Sequence, residues 1–185
     1  LIDTRAFMDD RTGAHPPVAF LFTDIEGSTR LWEQFPEAMA VALMRHDAIL
    51  HDVVRRHGGQ IYRSAGDAVQ AYFPDCLSAV QAAIDAQRTL LDVDWGVSGG
   101  MRVRMAVHAT EAEQTGSGDY RSPQLRRLEA ILAAGHGGQI LLSDVAAGCM
   151  VNPLPAGIAL MDLGSWQLPD TGRSAAIFQI VHDGL

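Results

Sequence analysis

The hydrophobic pattern changes period several times along the chain, and each change marks an element. Val18 to Thr23 is an apolar run of the length of a buried central strand. It ends on Asp24, and the segment from Ile25 to Thr29 turns into a helical stretch. From about Glu37 to His57 the period becomes helical. Met39, Leu43, Ile49, Leu50 and Val53 form its stripe, and Gly58-Gly59 stops it. Gln60 to Ser64 and Val69 to Phe73 then read as two strands joined across Ala65-Gly66-Asp67-Ala68, a hairpin signature. Pro74-Asp75 opens a second helix to about Leu91, with Val80, Ala83, Ile84 and Leu91 inward.

The segment MRVRMAVHAT alternates strictly, with Val103, Met105 and Val107 on one side and Arg102, Arg104 and His108 on the other. EQTGSGD follows, and its glycines at 116 and 118 mark a mobile loop with no dinucleotide fingerprint after them. A third helix is expected from about Ser122 to Ala134, after which GHGGQILLS leads into another strand. Two further strands are expected near Ile158 to Met161 and Ala175 to Val181. The order is that of an α+β fold with a ferredoxin-like split βαββαβ core and a mostly antiparallel sheet. Residues 1–17, polar and ending in His15-Pro16-Pro17, read as an arm, and residues 18–182 as one domain.

Composition narrows the function classes. A chain of 185 residues buries a proper core. No apolar run approaches the roughly 20 residues that cross a bilayer. No basic-plus-apolar leader opens the sequence, so a cytoplasmic protein without a membrane partner is expected. The start at Leu1 rather than Met leaves flanking domains open. A net charge of −8 argues against nucleic-acid binding, which needs a basic face. Cys76 and Cys149 make no CxxC and no disulfide framework, which fits a reducing compartment. All 14 basic residues are arginine, and Asn152 is the one asparagine.

Asp24 and Asp67 are the leading candidates for chemistry. Each stands beside a strand end at a glycine-containing turn, and strands of this layout lie side by side. Two converged carboxylates bridge two Mg²⁺ or Mn²⁺ ions, which prefer hard oxygen and clamp phosphates. The loop from Ile25 to Thr29, with Gly27, Ser28 and Thr29, could offer backbone N–H groups to phosphates. The competing reading is that Asp24 caps its turn and Asp67 serves the hairpin. His46, His51 and His57 lie five and six apart, which is not ligand spacing on a helix, and read as a solvated or half-buried side. His108 reads as a satisfied core histidine. Arg126-Arg127, with Arg121 nearby, makes a small basic patch whose simplest reading is a solvated helix face.

The segments FLFTDIEGSTRLWE, RHDAILHDVVRRHGGQIYRSAGDA, MRVRMAVHATEAE, GDYRSPQLRRLEAILAAGHGGQILLS and LMDLGSWQLPDTG resemble, in order, the landmarks of the class III adenylyl cyclase catalytic domain. The resemblance covers about residues 18 to 181. It implies a head-to-tail dimer with active sites shared across the interface. It also implies attack of the ribose 3′-hydroxyl on the α-phosphate of ATP, giving cyclic AMP and pyrophosphate. One protomer of that family supplies two metal-binding aspartates, matching Asp24 and Asp67, and a ligating carbonyl, matching Ile25. The partner supplies an adenine-reading Lys–Asp pair, an Asn and an Arg for the transition state, and a phosphate Lys.

Those partner positions have changed. The adenine Lys falls on Arg63, while the adenine Asp is kept as Asp119. The transition-state Asn falls on Arg126, its Arg on Ala130, and the phosphate Lys on Pro169, which has no donor. The second glycine of the family hairpin is Ala68, which would be strained if that site needs φ > 0. The resemblance thus implies a domain with the metal half kept and no catalytic position retained, impaired as a homodimer. Two alternatives stand beside it. One is an active but unorthodox cyclase using Arg126 or Arg127. The other is a regulatory or dimerisation module pairing with an intact cyclase chain.

Overall fold

A computed structural model describes residues 18–97, 99–116, 118–150, 156–168 and 174–182. The expected arm at 1–17 and the Pro169 position lie outside the described residues. The elements run β1 (Val18–Ile25), α1 (Ser28–Gln34), α2 (Pro36–Arg56), β2 (Gln60–Ala65), β3 (Ala68–Phe73), α3 (Cys76–Leu91) and β4 (Val103–Thr110). They continue with β5 (Glu113–Gln114), β6 (Tyr120–Arg121), α4 (Pro123–Ala134), β7 (Ile140–Ser143), α5 (Asp144–Cys149), β8 (Ile158–Gln167) and β9 (Ser174–His182). Seven strands form one sheet in the order β2-β3-β1-β4-β7-β9-β8. β4 and β7 run parallel, and the other neighbours are antiparallel. The α+β architecture expected from the pattern is therefore present.

β1 shows why the sheet has two covered faces. Ala19, Leu21 and Ile25 pack in the core that α2, α3 and α5 close. Phe20 and Phe22 point the other way, into a second core closed by α4. Alternation along the strand therefore puts Asp24 on the α4 side, at the rim where that core ends. Three helices, α3, α4 and α5, begin on side-chain caps. Asp75 accepts from the Ser78 amide at 2.8 Å, Ser122 from Gln124 at 3.2 Å, and Ser143 from Ala146 at 3.1 Å. Among the described residues no helix is long and apolar enough to cross a membrane.

Several expectations need correction. Ala68 begins β3 and pairs with Ala65, and Gly66, at φ 63°, takes the left-handed turn position, so the alanine meets no backbone penalty. Leu91, expected inward, is exposed, because its neighbour Leu90 takes the core-facing position of the last turn. His46 is fully buried, with Nδ1 on Asp47, rather than on a solvated helix side. The Gly-rich stretch after β4 is bracketed by a two-stranded ribbon, β5 with β6. The short helix α5 has no counterpart in the hydrophobic pattern, because its Ala-Ala-Gly sequence has no stripe to read.

His108 is buried on the α4 side of β4, with Nδ1 2.7 Å from Ser143 Oγ and Nε2 without a partner among the described residues. The satisfied histidine expected from sequence is therefore only half satisfied. Burial, then the Arg127 charge, pulls its pKa from an ordinary 6.5 to about 4, against a smaller opposing pull from Asp144. Below pH 6.5 the unfolded chain takes up a proton that the folded chain refuses, so stability falls as the pH drops from 6.5 towards 4. The integrated loss is roughly 3 kcal/mol. Urea titrations across that window are expected to show the decline, and His108→Gln to flatten it; an equal decline in the variant would assign it elsewhere.

Candidate active site

Asp24 and Asp67 meet at one end of the sheet because β1 pairs with β3 up to Thr23 against Val69. That register brings the Gly66-Asp67 turn beside the end of β1. Asp67 Oδ2 accepts the Ile25 amide at 3.2 Å, tying the turn to the strand that carries Asp24. Asp24, Ile25 and Asp67, chosen from sequence, are therefore neighbours.

A fourth residue joins them that sequence reasoning did not select. Arg104 lies directly opposite Asp24 in the β1–β4 register, and its Nε and Nη2 donate to Asp24 Oδ2 at 2.9 and 2.5 Å. Both side chains are about three-quarters buried, at 28% and 24% exposure for Arg104 and Asp24. The signal was present in the strict alternation of MRVRMAVHAT, which puts Arg104 on the side away from Val103 and Met105. Only the pairing of β4 with β1 turns that parity into a contact. A cavity of about 280 Å³ opens beside the pair, lined by Asp24, Arg104, Gln70, Glu129 and Ala133 among others.

The turn after Asp24 is built on Gly27, whose φ of 67° sets the left-handed entry to α1. Ser28 and Thr29 form the first turn of this seven-residue helix, half-buried and exposed respectively. Gly27 also borders a second cavity, of about 330 Å³, with Glu26, Arg30, Gly100 and Arg102 on its walls.

The other predicted positions form a separate neighbourhood. Arg63 is exposed on β2 at a bulge, and Asp119 is exposed just before β6. The Tyr62 phenol, next to Arg63 in the chain, is pushed well above its usual range, chiefly by burial, with the charges of Arg63, Glu129 and Asp119 also acting on it. Its ring packs in an aromatic cluster: Phe20 meets Tyr62 and Tyr120 at 6.0 and 5.3 Å between ring centroids, edge to face. Burial and the neighbouring Tyr72 push the Tyr120 phenol up to about 12, so it stays protonated at neutral pH.

On α4, the two arginines diverge. Arg127 pairs with Asp144 at 2.7 Å, whereas Arg126 faces solvent. Ala130 is buried against the second core. The supposed basic patch is thus one docked arginine and one exposed arginine.

The chemistry of the Asp24 end is that of hard oxygen. Two carboxylates with the nearby Ile25 backbone suit a small divalent cation that takes one or two carboxylates and leaves other positions to phosphate and water. Among the described residues no three or more His, Cys, Asp and Glu side chains converge on one point. A cation held by these two carboxylates would therefore need phosphate or water for its remaining positions.

No protein-family model matches the chain. An uncharacterized protein of Mycobacterium tuberculosis is 32% identical over 167 residues, 89% of this chain and 56% of that protein. The chain thus spans about half the length of the curated relatives it first matches. The adenylate cyclase of Neurospora crassa is 33% identical over 151 residues, covering 69% of this chain and 7% of that protein. Among solved structures, a Trypanosoma brucei adenylate cyclase in its monomeric state superposes with a TM-score of 0.80 at 22% identity, over 90% of this chain and 91% of that one.

Proposed function

Because the chain is a class III cyclase-like domain in fold, we propose that it keeps the metal and triphosphate half of a cyclase site and has lost the half that serves the transition state. The observation that carries this reading is the asymmetry of the site. Asp24, Ile25 and Asp67 are held together at the end of β1. Arg126 and Ala130 stand where the family resemblance puts Asn and Arg, and Ala130 is buried.

Asp24 and Asp67 would hold Mg²⁺ or Mn²⁺, and the bound metal would supply charge neutralisation for the triphosphate. Gly27 lets the chain turn closely there, with Ser28 and Thr29 at the start of α1. Arg63 and Asp119 would face the base of a nucleotide bound across a dimer. Arg63 keeps the lysine's charge but presents a planar fork. On this reading a homodimer turns over ATP feebly or not at all, since each missing transition-state donor costs roughly 10²–10³ in rate. Calorimetry with a non-hydrolysable ATP analogue, with and without Mn²⁺, tests the half-site. Metal-dependent binding that is lost in Asp24→Ala is expected; binding indifferent to both metal and Asp24 would sink the reading.

A second reading has its own support. Arg126 is exposed one helical turn from the vacated arginine position at 130, so an unorthodox but active cyclase would lean on it. Cyclic AMP formation that vanishes in Arg126→Ala would favour this version. Arg127 is the poorer substitute, because Asp144 already engages it.

A further inference from the structure

The ion pair at the end of β1 sets a condition on the site that the fold alone does not. We infer that Arg104 is a resident counter-cation of Asp24, which a divalent ion must displace before it can bind. The inference rests on the reading of Asp24 and Asp67 as a metal pair, and three observations carry it further.

The first is where the bonds fall. Nε and Nη2 of Arg104 both converge on Asp24 Oδ2, at 2.9 and 2.5 Å. Charge-assisted bonds of that length are among the stronger ones a protein makes. A cation approaching that oxygen meets a guanidinium already seated on it, and two positive charges cannot share it without repulsion.

The second is how firmly the pair is placed. Asp24 and Arg104 are direct cross-strand partners on β1 and β4. Opposed residues of an antiparallel pair have Cβ atoms about 5 Å apart, so the two side chains cannot drift out of reach. Their shared burial weakens screening by salt, so this pair is worth more than an exposed one.

The third is that Arg104 has somewhere to go. The cavity of about 280 Å³ lies beside it, with Glu129 and the end of α4 also among its walls. Nη1 already points that way, 3.5 Å from the Ala133 carbonyl. Arg104 can therefore leave Oδ2 without entering the apolar core.

The consequence is a metal site that is weak while Arg104 is seated. The test is titration of free Mn²⁺ by its electron paramagnetic resonance signal, with no nucleotide present. Arg104→Gln is expected to bind Mn²⁺ roughly 10- to 100-fold more tightly than the wild-type chain, the factor set by the charge-assisted bonds it no longer has to break. Adding Asp24→Asn to that variant is expected to abolish the gain. Equal or weaker binding by Arg104→Gln, with the wild type binding measurably, overturns the counter-cation role and leaves the metal pair standing. No Mn²⁺ binding by either chain overturns both. Should Arg104→Gln fail to fold by circular dichroism, Arg104→Lys carries the test. It keeps the charge but not the fork, so a gain of a few-fold is expected, and no gain overturns the role.

Discussion

Mixed with a cyclase domain that has the transition-state asparagine and arginine but has lost its own metal aspartates, this chain is expected to yield cyclic AMP, although neither chain makes it alone. The argument is geometric. Asp24 and Asp67 are joined through the Ile25 amide at the end of the central strand. On the proposed reading the absent donors belong to α4, where Arg126 and Ala130 stand, and a second chain would contribute that helix. Two such losses at roughly 10²–10³ each would put a homodimer near the limit of detection, although effects within one site do not simply multiply. Product in the mixture is thus expected to exceed the sum of the separate chains by at least about 10²-fold. Asp24→Ala in this chain is expected to remove it. Association of the two chains with no rise in product would show that the metal half is not competent.

The second large effect is on stability. Phe20→Ala is expected to cost about 3–5 kcal/mol, the range for a fully buried aromatic cut to a methyl group. Phe20 is completely buried and sits between Tyr62 and Tyr120, so its loss opens a hole that two rings border. In a domain of this size that is a fall in Tm of roughly 6–20 °C. Urea unfolding measures the first figure and calorimetry the second. A loss below 1 kcal/mol would mean that the Tyr rings close over the gap, and that the ribbon bearing Asp119 is held by other contacts.

How much of this could be read from the sequence depended on periodicity. β1, α2, the β2–β3 hairpin and β4 have clean periods and stand where the pattern put them. The Ile158 strand runs on to Gln167, past Asp162 and Gly164, where the register to β9 shifts at a bulge. A polar bulge breaks alternation, and with it the signal. α5 and the β5–β6 ribbon are too short to show any period. Asp24 and Asp67 were legible as a pair because each sits at a strand end with a glycine turn. Arg104 was not, because its importance is a matter of cross-strand register, which one strand's pattern does not contain. Ala130 stands out in the sequence only through the family resemblance, and its burial is not legible there.

The two ends of the proposed nucleotide site differ in how they are held. β1 is paired on both edges and covered on both faces, so its amides should exchange with solvent only when the whole domain opens. The β5–β6 ribbon beside Asp119 is two residues per strand, apart from the main sheet, with Tyr120 packed on the aromatic cluster. Its opening is expected to cost only a fraction of the global free energy. The end that would grip metal therefore outlives, many times over, the end that would read the base. A nucleotide arriving during a local opening would find its phosphates' anchor still standing while the base's reader was being remade.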